Sequence, residues 1–254
     1  YRTGLAEEFA EAIAATGVTT ILITGDFSST STEREFTEAA AFLTRLRDRG
    51  LHIIAIPGNH DVYTFAAARG QRWTRHFGNY LPEESLPCRA SLPGGTPMVF
   101  APTVCPNWIS SRGRITDDDA AKTARLALDA PAGPVIVAGH YPLLHQTATY
   151  ASSATRRLRN AEALRNALGE TGRTILYVAG HVHRFSYTRD PYWPSLTHLT
   201  APALFLQRRG AAHAGAFLEI HAFDAHFSVF EHWREEKWER HERAAHEGKP
   251  KGGV

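Results

Sequence analysis

The chain has 254 residues, with 28 Lys+Arg against 26 Asp+Glu and a formal net charge of +2 with His neutral. That near-balance excludes a polycationic nucleic-acid coat and an acidic-tail protein. Hydrophobic residues make up 43% and charged residues 21%, the mix of an ordinary globular chain long enough for one large domain. Two cysteines, Cys88 and Cys105, cannot build a disulfide scaffold and fit a cytoplasmic compartment. No apolar run approaches the roughly 18 residues of a membrane span. The oddity is 14 His beside one Met.

In chain order, helix and strand patterns alternate. Leu5, Phe9 and Ile13 lie at helical spacing, and Gly17 can stop that helix. Val18 to Thr24 is a β-branched apolar run that reads as a buried strand. Thr32 with Glu35 forms a capping box, and Phe36, Ala39, Leu43 and Leu46 give the second helix its apolar face. Leu51 to Ile56 predicts a strand, and a polar, aromatic helix with Arg69, Arg72, Trp73 and Phe77 follows. Residues 80–116 are irregular and rich in Pro and Gly, with Met98-Val99-Phe100 as a strand inside them. Asp117 starts a helix that reaches Ala130. Val135 to Ala138 is a strand, 156–170 reads as a helix, and Thr174 to Val178 is another strand. Short extended pieces follow, among them Phe217 to Ile220 and His226 to Phe230. From Glu231 the composition reads as a charged C-terminal tail, so the domain is expected over 1–230 and the tail over 231–254.

Such alternation predicts a layered α/β domain with a β-rich second half. Ligands of α/β sheets sit beyond the carboxyl ends of the strands. Four strands end in the same way: Gly25-Asp26, Gly58-Asn59-His60-Asp61, Gly139-His140 and Gly180-His181-Val182-His183. If these strands are parallel neighbours, Asp26, Asn59, His60, His140, His181 and His183 converge at one edge. His181 and His183 alternate on an extended segment, which turns both to one side. Carboxylate, amide and imidazole without thiolate are donors for hard to borderline divalent ions. Two such ions roughly 4 Å apart can clamp a phosphoryl group.

The order Gly-Asp, Gly-Asn-His-Asp, Gly-His, Gly-His-x-His resembles the calcineurin-like metallophosphoesterase superfamily, from about Gly4 to Phe230. The resemblance implies a layered α/β/β/α sandwich and a bacterial branch similar to the class III cyclic-nucleotide phosphodiesterases. It implies hydrolysis of a phosphodiester or phosphomonoester by a hydroxide held between two divalent ions, Mn²⁺, Fe²⁺/Fe³⁺ or Zn²⁺. By that resemblance Asp26 bridges the metals, Asn59, His140 and His181 complete one site, and His183 binds the other ion. His60 assists the leaving oxygen, with Asp61 orienting its ring. The partner implied is a small-molecule phosphoester; a net charge of +2 gives little grip on nucleic acid.

One block of the family pattern is absent. The family opens with Asp-x-His on a first strand, and Arg2 to Thr24 contains neither Asp nor His. The helix at 5–16 is similar to the one that follows that strand. The expected fold therefore lacks its first strand, and the motif is expected upstream of Tyr1. The same gap supports a second reading, a non-catalytic or impaired metal-binding protein with an incomplete dinuclear site.

The remaining polar residues carry weaker signals. Tyr63, Arg69, Arg184 and His145 stand close enough to the blocks to line the site. Trp108, Arg112 and Arg114 belong to an irregular stretch that can form its rim. Arg156, Arg157 and Arg159 read as a solvated face. The other histidines match no block and read as surface or satisfied polar residues.

Overall fold

The computed structural model describes residues 3–107, 109–147, 150, 154–205, 215–234 and 236–244. Helix α1 (Thr3–Thr16) leads into β1 (Thr20–Ile23), and α2 (Glu33–Asp48) crosses to β2 (His52–Ala55). Two short helices, α3 (Phe65–Arg69) and α4 (Arg72–Phe77), come next. They replace the single helix expected there, because Gln71 between them takes a left-handed φ of 47°. Then come β3 (Cys88–Ser91), β4 (Pro97–Phe100), α5 (Asp117–Leu128), β5 (Val135–Ala138), α6 (Ala161–Glu170) and β6 (Ile175–Ala179). The chain continues with β7 (Ser186–Arg189), β8 (Leu196–Thr200), β9 (Ala216–Ala222), β10 (Phe227–Arg234) and β11 (Trp238–Ala244). Helix α6 is shorter than the 156–170 expected, since Asn160 at φ 65° interrupts the turn before it.

These strands form a parallel pair β1-β2, an antiparallel sheet β11-β10-β9 and a six-stranded mixed sheet β3-β4-β5-β6-β8-β7. Alternation along each strand assigns the layers. In β2, Ile53 and Ala55 join the apolar cluster with Phe9 of α1 and Phe36, Leu43 and Leu46 of α2. Ile54 points the other way, into a cluster shared with Met98, Ile136, Leu176 and Leu199 of the large sheet. In β5, Val135 and Val137 face α5 and α6, packing with Ala124, Leu164 and Leu168. Strands that are apolar on both faces are what a sheet buried on both sides demands. The result is the layered α/β/β/α arrangement that the resemblance implies.

The small sheet belongs to the same layer as β1-β2. Phe217 and Trp238 share the α1/α2 cluster, whereas Leu218, Ile220, Phe227 and Val229 share the inter-sheet cluster. This corrects the tail expected from Glu231. β10 runs to Arg234, and β11 pairs with it from Arg234 opposite Trp238 to Val229 opposite Ala244. The charges that suggested a solvated tail are paired: Arg240 with Glu219, Arg243 with Glu231, and Arg234 with Glu8 on α1.

Candidate metal centre

The site is built first by two backbones in contact. Gly25 has φ +105°, and a Cβ there would lie 2.4 Å from the Gly58 nitrogen. A Cβ on Gly58 would lie 2.2 Å from both the Asp26 nitrogen and its Oδ1. Only glycine allows the loops after β1 and β2 to touch this closely. Asp61, wholly buried, buckles them together. Its Oδ2 accepts from Gly58 N (2.8 Å) and Asp26 N (3.0 Å), and its Oδ1 accepts from Ser28 N and Ser28 Oγ. Burial and the neighbouring Asp26 charge push the Asp61 pKa upward, while these four donors favour its ionised, acceptor-only form.

Asn59, His140 and His181 meet at one atom. The Asn59 Oδ1 lies 2.9 Å from His140 Nε2 and 2.9 Å from His181 Nδ1. The second nitrogen of each ring faces a backbone carbonyl: His140 Nδ1 at 2.7 Å from Thr24 O, and His181 Nε2 at 2.9 Å from Arg156 O. Burial lowers both histidine pKa values, that of His181 to about 3, so each ring is neutral. A neutral imidazole has one N–H. The carbonyls take those protons, which leaves a bare lone pair on each ring pointing at an amide oxygen.

Asp26 stands beside this group. Its Oδ1 is 3.5 Å from His140 Nε2 and accepts the His60 backbone N–H at 3.1 Å, and its Oδ2 is 3.8 Å from His183 Nε2. Burial disfavours the Asp26 charge, but His140, His183 and His60 outweigh it and hold the carboxyl well below the usual range. The two oxygens thus look toward two different groups of donors. Asp26, His181 and His183 all have positive φ (62°, 61° and 55°). The extended segment expected for the two histidines is therefore a bend: β6 stops at Ala179, and Val182 N–H donates to Gly180 O at 2.7 Å. Left-handed backbone, not strand alternation, turns both rings inward.

His60 is half-buried. Its Nδ1–H donates to the Ser29 carbonyl at 2.7 Å, and Tyr63 lies parallel to its ring with centroids 5.8 Å apart. The contact expected between Asp61 and the His60 ring is made by the Ser29 carbonyl instead, because both Asp61 oxygens are engaged by loop amides and Ser28. Among the described residues nothing occupies His60 Nε2.

The carbonyls of Thr24, Ser29 and Arg156 that hold these rings are contacts that sequence reasoning missed, and no residue type signals them. Tyr141 was missed as a support. It is fully buried, 4.3 Å from the His181 ring and 5.1 Å from the His140 ring, and its OH donates to Ser111 O. Tyr150 stands edge-on to His181 at 5.9 Å. His145, Arg69 and Arg184 are exposed, and Trp108 lies outside the described residues. Beside the Pro57 loop a small, mostly apolar pocket is lined by Ile56, Pro57, Leu86 and Ala101–Val104.

The donor set can be tested against a divalent ion. Among the described residues no three His, Cys, Asp or Glu side chains gather tightly enough to hold a metal by themselves. Asn59 is the member that joins the two rings, and among the described residues its buried Nδ2 has no partner. Two bare ring lone pairs, each 2.9 Å from the Asn59 oxygen, repel it unless a cation lies among them. Neighbouring ligands on one ion stand roughly 3 Å apart when bonds are about 2.1 Å. The Asp26, Asn59, His140 and His181 donors fit one ion on this ground. For a second ion the described residues offer Asp26 and His183.

Comparison with known proteins agrees with this architecture. Residues 2–185 match the family model for calcineurin-like phosphoesterases. No curated protein matches the chain. Among solved structures it is similar to a dimetal phosphatase from Danio rerio, with a TM-score of 0.64 and 13% identity over 96% of this chain and 91% of that one. It is also similar to PhoD, with a TM-score of 0.62 and 8% identity over 96% of this chain and 69% of that one. A 5′-nucleotidase from Candida albicans SC5314 gives a TM-score of 0.51 and 14% identity over 89% of this chain and 45% of that one. Layer order, strand-end blocks and the family match together lead to one assignment: the chain belongs to the calcineurin-like phosphoesterase family.

Proposed function

We propose that this protein is a metal-dependent phosphoesterase acting on a small phosphodiester or phosphomonoester, in the manner of the cyclic-nucleotide phosphodiesterases. The observation that carries the reading is the meeting of two neutral imidazoles on the Asn59 amide oxygen beside an ionised Asp26. Asp26, Asn59, His140 and His181 hold one divalent ion, and Asp26 with His183 contributes to a second. Such ions supply positive charge to the phosphoryl oxygens and lower the pKa of an attacking water. Thr24 and Arg156 carbonyls fix the ring tautomers so that the free nitrogens face the site. His60, held by Ser29 O at Nδ1, keeps Nε2 available to give a proton to the leaving oxygen. Asp61 acts on the loops, holding Asn59 and Asp26 in place, and touches no reacting atom in this reading.

The test is metal content together with turnover. Two ions per chain and Mn²⁺-, Fe- or Zn²⁺-dependent hydrolysis of p-nitrophenyl or bis-p-nitrophenyl phosphate support the enzyme. The limited donor set for a second ion favours one alternative, a metal-binding protein without turnover. One ion per chain and no hydrolysis with any of these metals would establish it.

A further inference from the structure

Two irregular segments beside the site are sewn to each other and to the imidazoles. Arg159 N–H donates to Gly113 O at 2.9 Å, and Ile115 N–H donates to Arg159 O at 3.3 Å. Arg114 and Arg159 face each other as parallel bridge partners. The Arg112 guanidinium donates to Ala154 O from Nη2 at 2.9 Å. Arg156 O accepts the His181 Nε2–H, and Arg114 N–H donates to the carbonyl of Thr103, whose Oγ1 accepts the His140 N–H. The pair is therefore fixed one hydrogen bond from His181 and, through Thr103, two from His140.

This pair carries a group of exposed positive side chains. Arg114, Arg156 and Arg159 are exposed, and among the described residues none of them forms an ion pair, although Arg114 and Arg159 lie close enough to Cys105 to act on its thiol. Many other arginines are neutralised: Arg72 and Arg75 by Glu33, Arg165 by Asp190, Arg234 by Glu8 and Arg240 by Glu219. The acids nearest in sequence are Asp117, Asp118, Asp119 and Glu162, and among the described residues none of them forms an ion pair with these three arginines. Asp117 accepts from Asn160, Asp118 pairs with Lys122, and Asp119 accepts from Thr116. Exposed guanidiniums carried on two adjacent backbones make a local positive field that favours an anion. Their fork of donors matches phosphate oxygens.

We propose that segments 112–115 and 154–159 form a substrate-recognition wall, on which Arg114, Arg156 and Arg159 hold a second phosphoryl group beyond the one being hydrolysed. The inference rests on the phosphoesterase reading above and names its substrate class: small phosphoesters bearing a further phosphate. Three arginines on two short segments fit a compact anion; a nucleic-acid track needs a longer row of phosphate contacts.

Steady-state kinetics, with metal in saturating excess, compare p-nitrophenyl phosphate, a nucleoside 5′-monophosphate and the matching 5′-diphosphate. The unaltered protein is expected to prefer the diphosphate in kcat/KM. That preference is expected to fall about tenfold in Arg156→Gln and in Arg159→Gln, the worth of one charge-assisted contact. Arg125→Gln, whose arginine pairs with Asp129 on α5, should leave the ratio in place. On the unaltered protein, KM for the diphosphate should rise more steeply with NaCl than KM for the monophosphate. A ratio unmoved in both variants, or an equal salt dependence for the two nucleotides, overturns the wall. No turnover of any of the three substrates overturns the phosphoesterase reading instead, and the wall falls with it.

Discussion

At the scale of single residues, Asn59 is the pivot. With Oδ1 toward the rings, its Nδ2 is left buried without a partner among the described residues. A half-turn of the amide would give both rings a donor, the arrangement expected when no metal is bound. Asn59→Ala should therefore weaken metal affinity by at least about tenfold, as read by equilibrium dialysis. Asp26→Ala should lose metal altogether. His60→Ala should keep its metal while kcat falls by about 10² to 10⁴. Its loss should be larger for an alkyl phosphate than for p-nitrophenyl phosphate, whose leaving group needs no proton. Equal activity of His60→Ala on both substrates would falsify the proton-donor role. Asp26, Asn59, His60, His140, His181 and His183 were legible in the sequence because each follows an apolar run and a glycine. The supporting carbonyls were not, because every residue carries one and only the fold decides where it points.

At the scale of elements, the site depends on what stands behind the strand ends. Tyr141 links the His140 and His181 rings to Ser111 of the rim. Tyr141→Phe keeps the ring and should raise KM several-fold with metal content unchanged. Tyr141→Leu removes the ring and should weaken metal affinity about tenfold. The β7-β8 hairpin holds another buried histidine. His198 Nε2–H donates to Asp190 Oδ2 at 2.8 Å, its Nδ1 is buried without a partner among the described residues, and Arg165 grips the same carboxylate. Burial lowers the His198 pKa, although Asp190 opposes this, and burial lowers that of His181 to about 3. Both are neutral in the fold but charge near pH 6.5 when unfolded. The unfolded chain thus binds more protons as pH falls below that value. Stability of the metal-free protein should drop by up to about 1.4 kcal/mol per pH unit for each such histidine. Urea midpoints between pH 8 and pH 5 that stay level would contradict this.

At the scale of the molecule, the last strands close the β1-β2 layer. Trp238 packs on Phe9 and Phe217, with ring centroids 6.2 Å and 5.2 Å away. Arg240 grips Glu219, whose side chain is 3% exposed. Ending the chain after Arg234 removes both, leaving a buried carboxylate short of its cation. The expected loss is about 3 kcal/mol or more in urea unfolding. The layer order was legible because the strands are apolar on both faces or alternate between two cores. β11 was not, because Glu239, Arg240, Glu242 and Arg243 lie along its sequence. Two of these charges, though exposed, pair with acids on β9 and β10. Composition alone cannot separate a cross-strand pair from a solvated one.

The left-handed backbone at Asp26, His181 and His183 sets function against durability. Each of these positions is one where glycine would relax the chain, and each carries a side chain that glycine lacks. A non-glycine residue there costs roughly 1–2 kcal/mol of backbone strain. At His183, therefore, the usual order of replacements should invert: the Gly variant should outlast the Ala variant by about 1 kcal/mol in the metal-free protein. Laboratory selection for heat resistance alone would drift toward glycine at these three sites, and the metal centre would be what it discards.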